Sequence, residues 1–220
     1  MKRLFDLGCA LCGIVVLSPV LAVLWLAVVA ESGLPGFFRQ QRAGWLGRYF
    51  TLLKFRSMTE KKAESRKQKV EIGTGECLLI TADGDQPGNQ GEFDAGDSSR
   101  VTRVGHFLRK TKLDELPQLW NVLKGEMSLV GPRPEVRKWV EAYPERWAKV
   151  LTVRPGITDP ASIEFRNEES LLAKSQDPER TYRDEILPRK LALYEQYVAT
   201  RGFRGDVGIL FKTVWAVIAG

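Results

Sequence analysis

The chain opens with a block in which apolar residues displace almost everything else. From Leu7 to Ala30 no residue is charged. At 1.5 Å per residue the run makes a helix of roughly 36 Å, long enough to cross a bilayer. Beyond it the pattern changes period. Tyr49 to Phe55 alternates weakly, as a short strand does. Leu116, Leu119, Trp120 and Leu123 recur at the spacing of one buried helix face. Thr111 is a candidate N-cap for that helix, with Asp114 closing a loose capping box, and Gly125 can end it in a left-handed conformation. Glu135 to Leu151 reads as one amphipathic helix carrying Trp139, Val140, Tyr143 and Trp147, and Leu187 to Tyr197 reads as another. Asp206 to Ala219 is apolar on most faces and too short to span. It suits an in-plane interfacial helix or a core helix equally. Thr59 to Lys69 has the pattern of a charged surface helix. Gly73 to Ser99 has loop composition, and its acids lack the spacing of an EF-hand.

Ser18-Pro19 interrupts the N-terminal run near its middle. Three readings compete for the run: a cleaved signal peptide with Val28 and Ala30 before Glu31, a spanning anchor, and a re-entrant hairpin. Pro19 offers no N–H to the carbonyl of Val15, so the helix is expected to bend there. Ser18 can return its hydroxyl to the Ile14 carbonyl, satisfying a group that hydrocarbon would strand. Each half is then roughly 18 Å, about one leaflet. Lys2 and Arg3 precede the run, and Arg39, Arg42 and Arg48 follow it. Positive charge on both sides suits two ends in the cytoplasm, which favours the hairpin.

With 220 residues the chain defaults to one folded unit. A net charge of +6 and a pI near 9.3 call for an anionic partner: nucleic acid, an anionic membrane or a phosphorylated substrate. Nucleic acid is the weakest of these, because the basic residues are spread out and no helix-turn-helix, zinc or aromatic-platform motif is present. Cys9, Cys12 and Cys77 form no disulfide framework, and Cys9 and Cys12 read as small apolar fillers. His106 is the only histidine and receives no role.

The chemistry concentrates in Lys112 to Glu135, KLDELPQLWNVLKGEMSLVGPRPE. Adjacent carboxylates, Asp114 and Glu115, follow the cations Arg109, Lys110 and Lys112. One helix later, Gly131-Pro132-Arg133-Pro134 mounts a guanidinium between two prolines that fix φ. Alone, an acidic pair at a helix start is most often dipole electrostatics. With a rigid arginine nearby, it is also a layout for phosphate chemistry with a metal ion.

This stretch resembles the signature of the bacterial sugar transferases, the monotopic phosphoglycosyl transferases. The resemblance extends to the Ser18-Pro19 break, to Lys54-Phe55-Arg56-Ser57-Met58, to Arg154-Pro155-Gly156-Ile157-Thr158 and to a downstream Arg166. Many members carry a Trp-Gln pair ahead of that arginine; here the segment runs from Asp159 to Arg166 without it. The resemblance implies an α+β, mostly helical fold. Residues 1–36 form a re-entrant membrane helix-break-helix. Residues 37–220 form a compact cytoplasmic catalytic domain with little β-structure and interfacial amphipathic helices. It implies transfer of a sugar 1-phosphate from a UDP-sugar to undecaprenyl phosphate, with release of UMP. Asp114 is then the nucleophile, and Glu115, with Asp114, the ligand for Mg²⁺. Arg109, Arg133 and Arg166 clamp phosphates, with Arg154 a weaker candidate. Lys54 and Arg56 lie close to the site or at the membrane interface. The implied location is the cytoplasmic face of a bacterial inner membrane. Membrane lipids, a homodimer and downstream membrane glycosyltransferases complete the expected partners. A non-catalytic, lipid-binding scaffold and a UDP-releasing glycosyltransferase remain as alternatives.

Overall fold

The computed structural model describes residues 2–59 and 100–218. Its first element, α1 (Lys2–Ser32), is a single helix with Pro19 inside it. The expected break therefore does not divide the run into two elements. The Ser18 hydroxyl donates to the Val15 carbonyl at 2.8 Å, not to Ile14. Val15 is the carbonyl that the missing proline N–H leaves open, so the side chain restores the lost bond locally. Leu11, Val15, Val16, Val23 and Leu26 each expose more than half of their surface, and both cysteines of this helix are exposed. Cys9 and Cys12 are thus not packed fillers.

Both ends of α1 pack against the rest of the chain. Ala10 enters a core with Val122, Met127 and Leu52, whereas Val28 joins Phe55 and Leu108. Lys2 pairs with Asp206, and Glu31 accepts from the backbone of Arg103 and Val104. Of the cations before and after the run, Lys2, Arg3 and Arg42 are engaged with protein groups.

β1 (Phe37–Ala43) and β2 (Tyr49–Phe55) make an antiparallel hairpin, Phe37 opposite Phe55 and Ala43 opposite Tyr49. The expected strand at Tyr49–Phe55 is thus present, and it gains a partner that the sequence pattern did not reveal. α2 (Arg103–Thr111) is N-capped by Thr102, whose hydroxyl accepts from Gly105 N at 2.9 Å. A Cβ at Gly105 would lie 2.1 Å from the Ser57 carbonyl oxygen, so glycine lets α2 sit on the end of β2. Thr111 ends this helix instead of starting the next one. Its hydroxyl bonds backward to Phe107, and Lys112 turns left-handed at φ 57°. A 3-10 turn, Leu113–Glu115, then leads to α3 (Gln118–Lys124) through Pro117, and Gly125 at φ 88° closes α3 as expected.

β3 (Ser128–Val130) lies parallel to β4 (Gly156–Thr158). The crossover between them holds α4 (Arg137–Ala142) and α5 (Pro144–Val150), where a single helix from Glu135 to Leu151 was expected. Tyr143 departs from helical geometry (φ −140°, ψ 62°) because the ring of Pro144 excludes the helical region for its predecessor. Short helices α6 (Pro160–Glu164), α7 (Glu168–Ala173) and α8 (Pro178–Thr181) follow. A π turn at Tyr182–Ile186 carries α8 into α9 (Leu187–Thr200). Trp139, Trp147, Leu187, Leu191 and Tyr194 pack as the core of this half. The last helix, α10 (Phe203–Ile218), leaves Phe211, Val214 and Trp215 exposed. The fold is mostly helical with two two-stranded sheets among the described residues. Residues 60–69 of the expected charged helix, the Gly73–Ser99 loop and Cys77 lie outside the described residues.

The two glycines of LVGPRPE and RPGIT meet backbone to backbone. A Cβ on Gly156 would stand 2.1 Å from Gly131 N and 2.4 Å from Gly131 O. Gly156→Ala is expected to lower stability by about 2–3 kcal/mol, the scale of overpacking that side-chain movement cannot relieve. Thermal unfolding of the purified protein in detergent measures it.

Candidate active site

Three elements bring four of the sequence candidates together. β2 supplies Lys54, the 3-10 turn supplies Asp114 and Glu115, and the turn after β3 supplies Arg133. Glu115 is the hub. Lys54 Nζ donates to its Oε1 at 3.0 Å, and Arg133 Nη1 donates to its Oε2 at 3.1 Å. Arg133 Nη2 makes a second, shorter bond to Oε1, giving the two-pronged contact that a planar guanidinium makes with a carboxylate. Asp114 stands beside this trio, its Oδ2 at 4.0 Å from Lys54 Nζ. Its Oδ1 is buried without a hydrogen-bond partner among the described residues.

The adjacent carboxyls are shifted in opposite directions. Burial alone would raise Glu115, but Arg133 and Lys54 outweigh it and hold the carboxyl far below the ordinary range. For Asp114 burial wins: its pKa is raised, with Lys54 only partly compensating and Glu115 adding to the rise. Lys54 is pushed down by burial despite Glu115, whereas Glu115 raises Arg133. The result is one carboxylate neutralised by cations beside another that carries an unsatisfied oxygen.

The remaining candidates are distributed differently. Arg109 lies in the last turn of α2, just ahead of Lys112, where a cation also suits the negative end of the helix. Arg154 donates through Nε to the Gly125 carbonyl at 2.9 Å and stacks 4.3 Å over Trp45, so it secures the end of α3. Arg166 is exposed between α6 and α7, and no hydrogen bond or ion pair joins it to the acidic pair among the described residues. Arg56 follows β2, its N–H bonded to the Gly36 carbonyl. Ser18 and Pro19 sit in α1. His106 lies on the exposed face of α2. Asp159, where the family resemblance fails, is fully buried and caps α6 through Ser162 N at 2.9 Å.

Sequence reasoning missed the support behind Arg133. Glu135 is buried and accepts from Arg42 at 3.1 Å, from the Tyr182 hydroxyl at 2.6 Å and from Val136 N at 3.2 Å. Arg42 also donates to the Pro134 carbonyl at 3.2 Å. A carboxylate directly after Pro-Arg-Pro was the available sign, but its partners lie on distant elements.

A magnesium ion fits this donor set through Asp114 more readily than through Glu115, whose oxygens are taken by Arg133 and Lys54. No group of three or more metal-ligating side chains occurs among the described residues. A cation here would draw on one or two carboxylates and on substrate phosphates, which is how Mg²⁺ is commonly held.

The family model described as bacterial sugar transferase matches residues 1–220. The chain is 36% identical over 218 residues to a UDP-galactose-lipid carrier transferase of Erwinia amylovora. It is 34% identical over 218 residues to an undecaprenyl-phosphate galactose phosphotransferase of Salmonella typhimurium. Each match covers 99% of this chain and 40% of the relative. An exopolysaccharide production protein, ExoY of Rhizobium meliloti, is 34% identical over 98% of this chain and 84% of its own length. The chain belongs to the bacterial sugar transferase family. It spans about two fifths of the length of the first two of these relatives.

The opposite shifts give opposite stability signs. Glu115, with its pKa depressed on folding, contributes stability that is present above its ordinary value of 4.5 and lost as pH falls toward the folded value. Glu115→Gln should cost about 3 kcal/mol by stranding two cations and should flatten the acid limb of a melting-temperature profile. Asp114 has a raised pKa, so its ionised form disfavours the fold at neutral pH. Asp114→Asn is expected to leave the melting temperature unchanged or higher.

Proposed function

We propose that this chain is the catalytic unit of a phosphoglycosyl transferase that moves a sugar 1-phosphate from a UDP-sugar to undecaprenyl phosphate and releases UMP. The observation that carries the reading is the buried, unpartnered Oδ1 of Asp114 beside a Glu115 neutralised by Lys54 and Arg133. The relatives named as undecaprenyl-phosphate galactose phosphotransferase and UDP-galactose-lipid carrier transferase support it.

Asp114 Oδ1 attacks the sugar-side phosphorus of the UDP-sugar. A bond forms from carboxylate to phosphorus, the phosphoanhydride bond breaks, and UMP leaves with the bridging oxygen. A phosphate oxygen of the lipid then attacks the same phosphorus and frees the carboxylate, so two displacements replace one. An anionic nucleophile approaching a diphosphate needs positive charge around it. Lys54 and Arg133 each keep a partly exposed side chain while holding Glu115, which leaves them able to meet phosphate oxygens. Arg109 and Arg166 are further phosphate-binding candidates, and Arg154 is better read as structural. Asp114, with substrate oxygens, would hold Mg²⁺, which would supply further neutralisation of phosphate charge.

The reading also assigns α1 to the membrane as a re-entrant, monotopic helix on the cytoplasmic face. Both of its ends bond to the same folded unit, while its middle exposes valines and leucines. The exposed aromatics of α10 support its placement at the interface.

The decisive assay supplies detergent-purified protein with undecaprenyl phosphate, Mg²⁺ and a panel of UDP-sugars, and quantifies UMP and UDP separately. UMP from one donor, lost in Asp114→Asn and on metal chelation, is the expected result. Release of UDP instead, or full turnover by Asp114→Asn, would overturn the mechanism. For topology, a cysteine placed at residue 2 and a second at Arg48, in a background without Cys9, Cys12 and Cys77, should both react with a membrane-impermeant reagent only after the cytoplasmic face is opened. Labelling of one without the other would make α1 a spanning helix.

A further inference from the structure

The two acidic residues near the ends of α1 grip different arms of the site. Asp6 is 3% exposed. Its carboxylate accepts from the Ser128 hydroxyl at 2.8 Å and from Leu129 N at a longer 3.4 Å. The neighbouring cations extend the hold: Arg3 donates to the Met127 carbonyl at 3.2 Å, and Lys2 to the Val130 carbonyl at 3.0 Å. Each residue from Met127 to Val130 is therefore bonded to the first turns of α1. The chain continues from Val130 directly into the turn that mounts Arg133.

At the other end, Glu31 accepts from Arg103 N at 2.8 Å and Val104 N at 2.9 Å. These are orphan donors of the first turn of α2, the helix that delivers Asp114 and Glu115. A carboxylate buried against protein at the start of an apolar helix is costly unless it is bonded, and the bonds of Asp6 go to the arginine arm.

We infer that α1 is a positioning element of the reaction as well as an anchor, with Asp6 and Glu31 as positioning residues that set the Arg133 arm against the Asp114 arm. The inference rests on the phosphosugar-transfer reading for its catalytic consequence, though not for its geometry. The Glu115–Arg133 pair links the arms directly, and incoming phosphate competes for it. A frame independent of that pair keeps the arms in register when the guanidinium turns to substrate. Displacements of about 1 Å at such sites cost on the order of a hundredfold in rate.

The test has two readouts on the full chain in lipid nanodiscs. The first is geometric: in a background without native cysteines, spin labels at Phe107→Cys on α2 and Glu141→Cys on α4 report the distance between the arms. Asp6→Ala is expected to broaden that distribution, and Asp6→Asn, which keeps one acceptor oxygen, to restore much of it. The second is kinetic. Asp6→Ala should lower kcat for UMP release by roughly ten- to a hundredfold with KM for the UDP-sugar little changed. Its loss should shrink to less than about threefold in an Arg133→Lys background, because both changes act on the same group. Ser128→Ala repeats both readouts if Asp6→Ala fails to fold. An unchanged distance distribution, or a loss of kcat that multiplies fully with Arg133→Lys, would overturn the inference. Wild-type protein that releases no UMP would overturn the phosphosugar reading, and the distance readout would still decide the positioning role.

Discussion

A buried carboxylate shared between two half-buried cations is the interaction on which the rest of the site depends. Glu115 holds Lys54 from β2 and Arg133 from the turn after β3, and so ties three separate parts of the chain at one point. Desolvating three charged groups is expensive, and their attraction offsets that cost only while all three are present. The arrangement makes chemical sense when set beside Asp114. Its neighbour is neutralised, its own oxygen is unsatisfied, and the surrounding positive charge is in place before any substrate arrives. Local instability at Asp114 is the kind that functional sites retain.

Behind this centre lies a second layer that touches no substrate candidate. Glu135, Arg42 and Tyr182 fix the backbone immediately after Arg133, and the crossing of Gly131 over Gly156 fixes it from the other side. Two stiff prolines restrict the turn, but prolines alone do not aim a guanidinium. The aim comes from bonds on both sides of the turn, made by residues far apart in sequence.

The N-terminal helix combines an apolar run long enough to cross a membrane with ends bonded to the folded unit. Its exposed face is apolar and suits lipid, whereas its two ends are polar and bond to protein. Ser18 gives the Val15 carbonyl the hydrogen bond that Pro19 removes, the kind of repair a proline in hydrocarbon would need. Both ends join the same folded unit, one beside β3 and the other at the start of α2.

Much of the site was legible in the sequence. The acidic pair, the proline-flanked arginine and the left-handed stop at Gly125 carry local signals: adjacency, fixed φ or an absent Cβ. Lys54 stood out only through the family resemblance of its segment. Local signals also misled. Thr111 has the chemistry of an N-cap, yet it ends a helix, because Lys112 accepts a left-handed turn that composition does not announce. One helix expected over 135–151 is two, a break that Pro144 did announce. What only the tertiary structure decided is which charges meet. Arg154 and Arg133 each precede a proline, but one stacks on Trp45 and the other binds Glu115. Asp6 and Glu135 look like ordinary surface acids until distant partners arrive, Ser128 for Asp6 and Arg42 and Tyr182 for Glu135. Sequence determines the kinds of groups and their local conformations, since those follow from bonded geometry. Pairing across the fold follows from burial, which no local pattern specifies.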